Sequence, residues 1–108
     1  MVLMDEWLPE AREDLTAELE YVYREFGVQT TEIAYRKVLE VVENLRHFPH
    51  LGKHFGDIVY HGNEVRSLSL RQTSLIYCIH GETLLVIALW NNRRDDKEIR
   101  AMMQSRQK

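Results

Sequence analysis

The chain has 108 residues, 44% of them hydrophobic and 29% charged, with a formal net charge of −3. One domain of a globular protein fits those figures; the single cysteine excludes an internal disulfide, and no apolar run approaches the ~18 residues of a membrane span. The acidic start lacks the basic region of a secretory signal, so the cytoplasm is the expected compartment, and the overall charge excludes a protein coated all round with nucleic acid.

Residues 2–7 read as a short strand that ends at Leu8-Pro9. Proline suits the first turn of a helix, and Glu10, Glu13 and Asp14 complement that end as a solvated acidic start. Leu8, Ala11, Leu15, Leu19, Val22 and Phe26 recur at spacings of three and four, which predicts an amphipathic helix capped by Gly27. A second stripe, Ala34, Val38, Val41, Leu45 and Phe48 with Leu39 and Val42 beside it, predicts a helix from near Thr30 to just before Pro49. So short a connection predicts an antiparallel helical hairpin.

A turn over residues 50–53 leads to strands at 57–61 and 64–70, on either side of a two-residue hairpin signal at Gly62-Asn63. The most informative stretch follows. Residues 74–80 and 83–90 are apolar strands joined by Gly81-Glu82, a pair suited to a type II′ turn. Regular pairing sets Leu75, Tyr77 and Ile79 on one face with Ala88, Val86 and Leu84, and Ile76 and Cys78 on the other with Leu89, Ile87 and Leu85. Both faces are apolar, so the hairpin is expected at the centre of the sheet, covered on both sides only partly by its own chain. Residues 95–105 predict a short helix with Ile99, Met102 and Met103 as its contacts, and Arg106-Gln107-Lys108 a frayed tail. The expected fold class is α+β over residues 1–108: an N-terminal strand, a two-helix hairpin, an antiparallel meander of about four strands and a short C-terminal helix. Its helices lie against one sheet face.

Charge is unevenly placed along this order. Residues 1–50 carry 11 acidic and 5 basic side chains, and residues 51–108 carry 6 acidic and 9 basic. Two electrostatically distinct surfaces follow, with room for a local basic patch in the second half. Arg66, Arg71, Arg93 and Arg94 are the candidates to gather along one rim of the sheet, where guanidinium groups suit phosphate or carboxylate. Alternation places Arg66 on the apolar face of Leu68 and Leu70, partly buried and paired with Glu64 or with an acidic partner, unless a bulge turns it outward. Tyr77 and His80 are aromatic and titratable groups in the same sheet, read as packing and turn residues in preference to catalysts. His47, His50 and His54 are close in sequence, but Pro49 separates the first two from a shared helix face, so no metal or other cofactor is expected. Cys78 reads as a small buried hydrophobe.

These pieces, in this order, resemble the RelE/ParE superfamily of toxins from type II toxin–antitoxin systems. Ala11-Arg12-Glu13-Asp14-Leu15 is similar to that family's entry into the first helix, and the run Leu45 to Gly52 to its exit from the second. Val65-Arg66-Ser67-Leu68, Ile76-Tyr77, and Leu84 to Trp90 with Arg93-Arg94-Asp95 resemble its sheet signature. The resemblance implies a toxin of a plasmid-stabilisation or addiction system, neutralised by a cognate antitoxin whose C-terminal segment covers apolar surface. A homodimer or a heterotetramer with the antitoxin is the implied assembly. RelE-like members cut mRNA on the ribosome with basic residues and often a tyrosine near the C-terminus; ParE-like members are associated with DNA gyrase. Here Ser74 stands three residues before Tyr77, where the nucleases commonly carry arginine, and no tyrosine follows. The ParE-like reading is therefore preferred, with Arg66, Arg71, Tyr77, Arg93 and Arg94 as target- or antitoxin-binding residues. The alternatives are a metal-free endoribonuclease using Arg66, Arg93 and Arg94, and an inactive binding remnant.

Overall fold

The computed structural model describes residues 1–107; Lys108 of the expected tail lies outside them. The elements run β1 (Met4–Trp7), α1 (Pro9–Phe26), α2 (Val28–His47), β2 (Lys53–Tyr60), β3 (Asn63–Ser69), β4 (Thr73–His80), β5 (Thr83–Asn91) and α3 (Lys97–Arg106). The sheet has five strands in the order β1-β5-β4-β3-β2. The last four form the expected antiparallel meander, while β1 adds in parallel along β5, pairing Met4 to Trp7 with Thr83 to Val86.

Gly27 serves both helices of the hairpin. Its φ of 87° lets one residue end α1 and start α2, so α2 begins before Thr30. The β2–β3 turn is shifted by one residue from Gly62-Asn63: its central residues are His61 and Gly62, with φ of 46° and 83°. Positive φ at both is the type I′ pattern. Asn63 instead opens β3, donating from Nδ2 to the Tyr60 carbonyl at 3.2 Å. In the β4–β5 turn only Gly81 has positive φ, as type II′ requires.

The β4–β5 register departs from regular pairing at one point. Ile76 faces Ala88 while Tyr77 faces Val86, so Ile87 is an extra residue. This bulge exchanges the expected places of Ala88 and Leu89. Leu89 joins Leu75, Tyr77, Leu84 and Val86 against Val38, Val41, Val42 and Leu45 of α2 and Ala11 of α1. Ile87, Ala88 and Trp90 join Ile76 and Cys78 on the other face, packed by Ile99 and Met103 of α3.

Three expectations are corrected here. Helices cover both sheet faces, not one, because α3 returns across the face opposite the helical hairpin. The central strands are also sealed by their own chain: from Leu75 to Cys78 and Leu84 to Trp90, every side chain except Leu85 is buried. Nor do Arg106 and Gln107 fray. Gln107 Nε2 donates to the Val59 carbonyl at 3.0 Å and its Oε1 accepts from His61 N at 3.1 Å.

Candidate functional site

Arg66 lies mid-strand in β3, opposite Tyr77 on β4 and His54 on β2. Its side chain is 21% exposed and pairs with Glu64 at 2.9 Å, as the alternation implies. The same guanidinium donates to the carbonyls of Gly52 at 2.7 Å and His50 at 3.4 Å. Arg66 therefore fastens the loop that leaves α2.

Tyr77, the cross-strand partner of Arg66, fastens the same loop. Its hydroxyl donates to the Pro49 carbonyl at 2.7 Å and accepts from Gly52 N at 3.0 Å. Burial pushes its ionisation above the usual range for tyrosine, so the hydroxyl stays protonated and both roles hold. The ring is 0% exposed. The expectation that Tyr77 meets a target or antitoxin is corrected: nothing of it reaches the surface, and its polar atom is fully engaged.

Arg71, Arg93 and Arg94 do share one end of the sheet. The β3–β4 turn and the exit of β5 are joined there by the Thr73–Asn91 pair and by Asn92 N donating to the Gln72 carbonyl at 2.9 Å. Arg71 is exposed in that turn. Arg93 lies 4.3 Å over the Tyr21 ring of α1, hydrogen-bonds its hydroxyl, and donates from Nε to Asn91 Oδ1 at 3.1 Å. Arg94 turns to the opposite face, 4.3 Å over Trp90 and 2.8 Å from Glu98 on α3. Each ring orients its cation at a gain of ~0.5–1 kcal/mol; Arg93 is further held by Asn91 and Tyr21, and Arg94 gives both Nε and Nη2 to Glu98, so only part of each exposed guanidinium is left to meet another group. The expected rim is thus three guanidinium groups at one end, fanned over both faces, with Arg66 behind them as an anchor.

Sequence reasoning missed a second anchor. Asp14, read as part of a solvated helix start, accepts from Arg106 at 2.6 and 3.0 Å, with side chains 20% and 13% exposed. Asp14 also accepts from Leu89 N at 3.1 Å, and Arg106 donates to the Ile87 carbonyl at 2.9 Å. The two residues stand 92 positions apart, beyond any local pattern.

Cys78 is buried as expected, and burial pushes its thiol up to about 11. A raised folded value means that the contribution to stability is complete below the ordinary thiol value of 9.0 and is lost as pH climbs through about 11. An aromatic disulfide reagent at pH 8 should leave the native thiol unreacted over hours and titrate it fully in denaturant. Rapid native labelling would show this strand to be open.

With the central strands sealed, six of the twelve exposed large apolar side chains among the described residues lie on the helical hairpin, the others being Met1, Val2, Met4, Phe48, Leu51 and Val59. Tyr23 and Phe26 near the end of α1 are 59% and 63% exposed, and Val28, Ile33, Tyr35 and Leu39 follow along α2. Large apolar side chains ranged along a helical pair mark an interaction surface more than scattered single ones do.

The comparisons agree with this architecture. Residues 6–96 match the family model described as the ParE toxin of the type II toxin–antitoxin system, parDE. The match stops at Asp96, just before α3. A solved structure, the chromosomal ParDE toxin–antitoxin system from P. aeruginosa, superposes with a TM-score of 0.69 at 20% identity. It covers 83% of this chain and 96% of that one. No curated protein sequence matches.

Proposed function

The chain belongs to the ParE toxin family of type II toxin–antitoxin systems, and from that membership we propose that it arrests growth by binding a target such as DNA gyrase. A cognate antitoxin holds it in check, in a system that stabilises a plasmid or other replicon. The observation that supports the reading is the contrast between the sealed central strands and the apolar residues open on the helical hairpin. An antitoxin segment with apolar side chains interspersed with basic ones fits that surface, because residues 1–50 are strongly acidic and opposite charge guides docking. The guanidinium groups of Arg71, Arg93 and Arg94 lie at the sheet's end, and there they are the groups to meet acidic features of the target.

Two observations weigh against the ribonuclease alternative. Tyr77 is sealed in the core, and Arg66 is engaged by Glu64 and two carbonyls, so neither is placed to meet a phosphate.

Induced expression of the chain alone is expected to lower viable counts and to trap gyrase-dependent DNA breaks, with transcripts intact. Co-expression of a cognate antitoxin is expected to restore growth. Replacing Arg71, Arg93 and Arg94 together by alanine relieves the arrest while antitoxin capture persists, since all three are exposed. Ordinary growth on induction, or codon-positioned mRNA cleavage, would reject the proposal.

A further inference from the structure

The two ends of α3 are attached to the sheet in unlike ways. At the far end Arg106 and Asp14 form an ion pair whose side chains are 13% and 20% exposed, and Arg106 also donates to the Ile87 carbonyl. Gln107 adds its bonds to Val59 and His61, and the Tyr60 hydroxyl donates to the Arg106 carbonyl at 3.4 Å. At the near end the ion pairs are Arg94–Glu98, each side chain 54% exposed, and Asp57–Arg100, 77% and 65% exposed. Pairs open to water hold little and weaken in salt, whereas a sheltered pair is costly to break.

The surroundings repeat this asymmetry. Residues 92–98, which join β5 to the helix and begin its first turn, are all exposed. An open cleft of about 520 Å³ lies beside that turn, lined by Ile76 and Trp90 of the sheet and by Ile99 and Arg100 of α3. Of the two side chains that α3 buries, Ile99 serves the near half and Met103 the far half. A helix of 10 residues has little stability of its own, so each half is held by what it touches.

We propose that α3 is a strap latched at its C-terminal end: its N-terminal half lifts from Trp90 while Arg106 and Gln107 stay seated. Burial of Ile99 keeps the closed form the major one, and the two exposed ion pairs set how often it opens. Arg94 belongs to the rim proposed above to meet the target. On that reading an acidic target group that takes Arg94 from Glu98 favours the open form, and opening in turn frees Arg94, because linked equilibria act both ways. The lifting itself requires no toxic activity, so it stands or falls separately from the function proposed above.

Two native groups report the two ends. Trp90 Nε1–H is buried and has no acceptor among the described residues, so it meets solvent only when its cover lifts. Arg94 lies over the Trp90 ring, and Ile99 shares its cluster. Cys78 is nearer the β4–β5 turn, in that cluster with Tyr60 and Met103, toward the latched end.

The test measures, on the full ¹⁵N-labelled chain, deuterium exchange of the Trp90 indole N–H and labelling of Cys78 by an aromatic disulfide reagent. Raising salt from ~0.01 M to ~1 M shortens the Debye length from ~30 to ~3 Å; it is expected to speed Trp90 exchange and leave Cys78 labelling unchanged. At low salt Glu98→Gln and Asp57→Asn, both exposed changes, each speed Trp90 exchange up to ~5-fold, the range of an exposed pair. Gln107→Ala, at the latch, speeds Cys78 labelling. The salt arm needs no substitution and so does not depend on how a variant folds. Three results would overturn the proposal: Trp90 exchange indifferent to salt and to both near-end variants, Trp90 and Cys78 opening in step, or Gln107→Ala labelling at the parent rate.

Discussion

Gly52→Ala is expected to cost about 3 kcal/mol or more, a large part of the ~5–15 kcal/mol that holds a protein of this size together. Its φ is not in the left-handed region, so the requirement is for space. A β-carbon at this position would lie 2.5 Å from Tyr77 Oη, 2.8 Å from Tyr77 Cε1 and 2.9 Å from the Ser67 carbonyl oxygen. None of these can yield cheaply. The ring is fully buried and its hydroxyl is bonded to Pro49, while Ser67 belongs to a strand paired on both sides. Overpacking of this kind costs ~1–3 kcal/mol. Moving the loop to relieve it breaks the Gly52 N–H bond to Tyr77 and the Arg66 bond to the Gly52 carbonyl, each worth ~1 kcal/mol. Urea unfolding should show a lower midpoint with an unchanged slope. Tyr77→Phe removes the hydroxyl and leaves Gly52 N and the Pro49 carbonyl without their partner. The double variant should then lose less than the sum, because the closest clash disappears with the oxygen. A Gly52→Ala midpoint equal to that of the parent would mean that Tyr77 does not staple this loop.

The elements were legible in the sequence where a single period ran unbroken. The stripes of α1 and α2 repeat at helical spacing, and the β4–β5 hairpin is marked by two apolar runs on either side of Gly81-Glu82. Legibility failed where a backbone irregularity carries no residue signature. The extra residue Ile87 reverses the faces of Ala88 and Leu89, yet all three are aliphatic, so the pattern reads equally well either way. β2 begins at Lys53, not at residue 57, because its bulge interrupts the alternation. The arginine candidates illustrate the same division. Chain order places Arg71, Arg93 and Arg94 at one end of the sheet, but adjacent residues in extended chain project to opposite sides. Arg93 thus meets Tyr21 and Arg94 meets Trp90, and only aromatic residues far away in sequence decide it. Tyr77 carried a resemblance to a family motif, and its burial follows from Pro49 and Gly52, which no spacing rule connects to it.

Arg106→Ala is expected to destabilise the protein by about 3 kcal/mol, the lower end for breaking a buried ion pair, since these side chains keep some contact with water. The reason lies in an unfinished sheet edge. β1 covers β5 only as far as Val86, and the backbone of Leu8 closes that last position by donating to the Val86 carbonyl at 3.0 Å. Beyond it, Ile87 still presents a carbonyl and Leu89 an N–H, the pattern that invites another strand. Arg106 satisfies the first and Asp14 the second, so the ion pair replaces the missing length of β1 with two side chains. Because Asp14 belongs to α1 and Arg106 to α3, the same pair also clamps the two helical layers across the sheet's margin. Alanine at 106 leaves the Asp14 carboxylate partly buried without its cation, and alanine at 14 strands the guanidinium and the Leu89 amide together. The double variant should recover at least 1 kcal/mol of the summed loss, the coupling expected of a pair in direct contact. Arg106→Lys should recover little, since one ammonium cannot bridge both carboxylate oxygens and the Ile87 carbonyl as the planar fork does. Hydrogen exchange separates the edge role from general packing. The Leu89 amide should lose protection far more in Asp14→Ala than in Met103→Ala, a variant chosen to loosen α3 through its apolar face alone. Equal loss in both would assign the hold on α3 to Ile99 and Met103 and leave the pair no part in closing the strand.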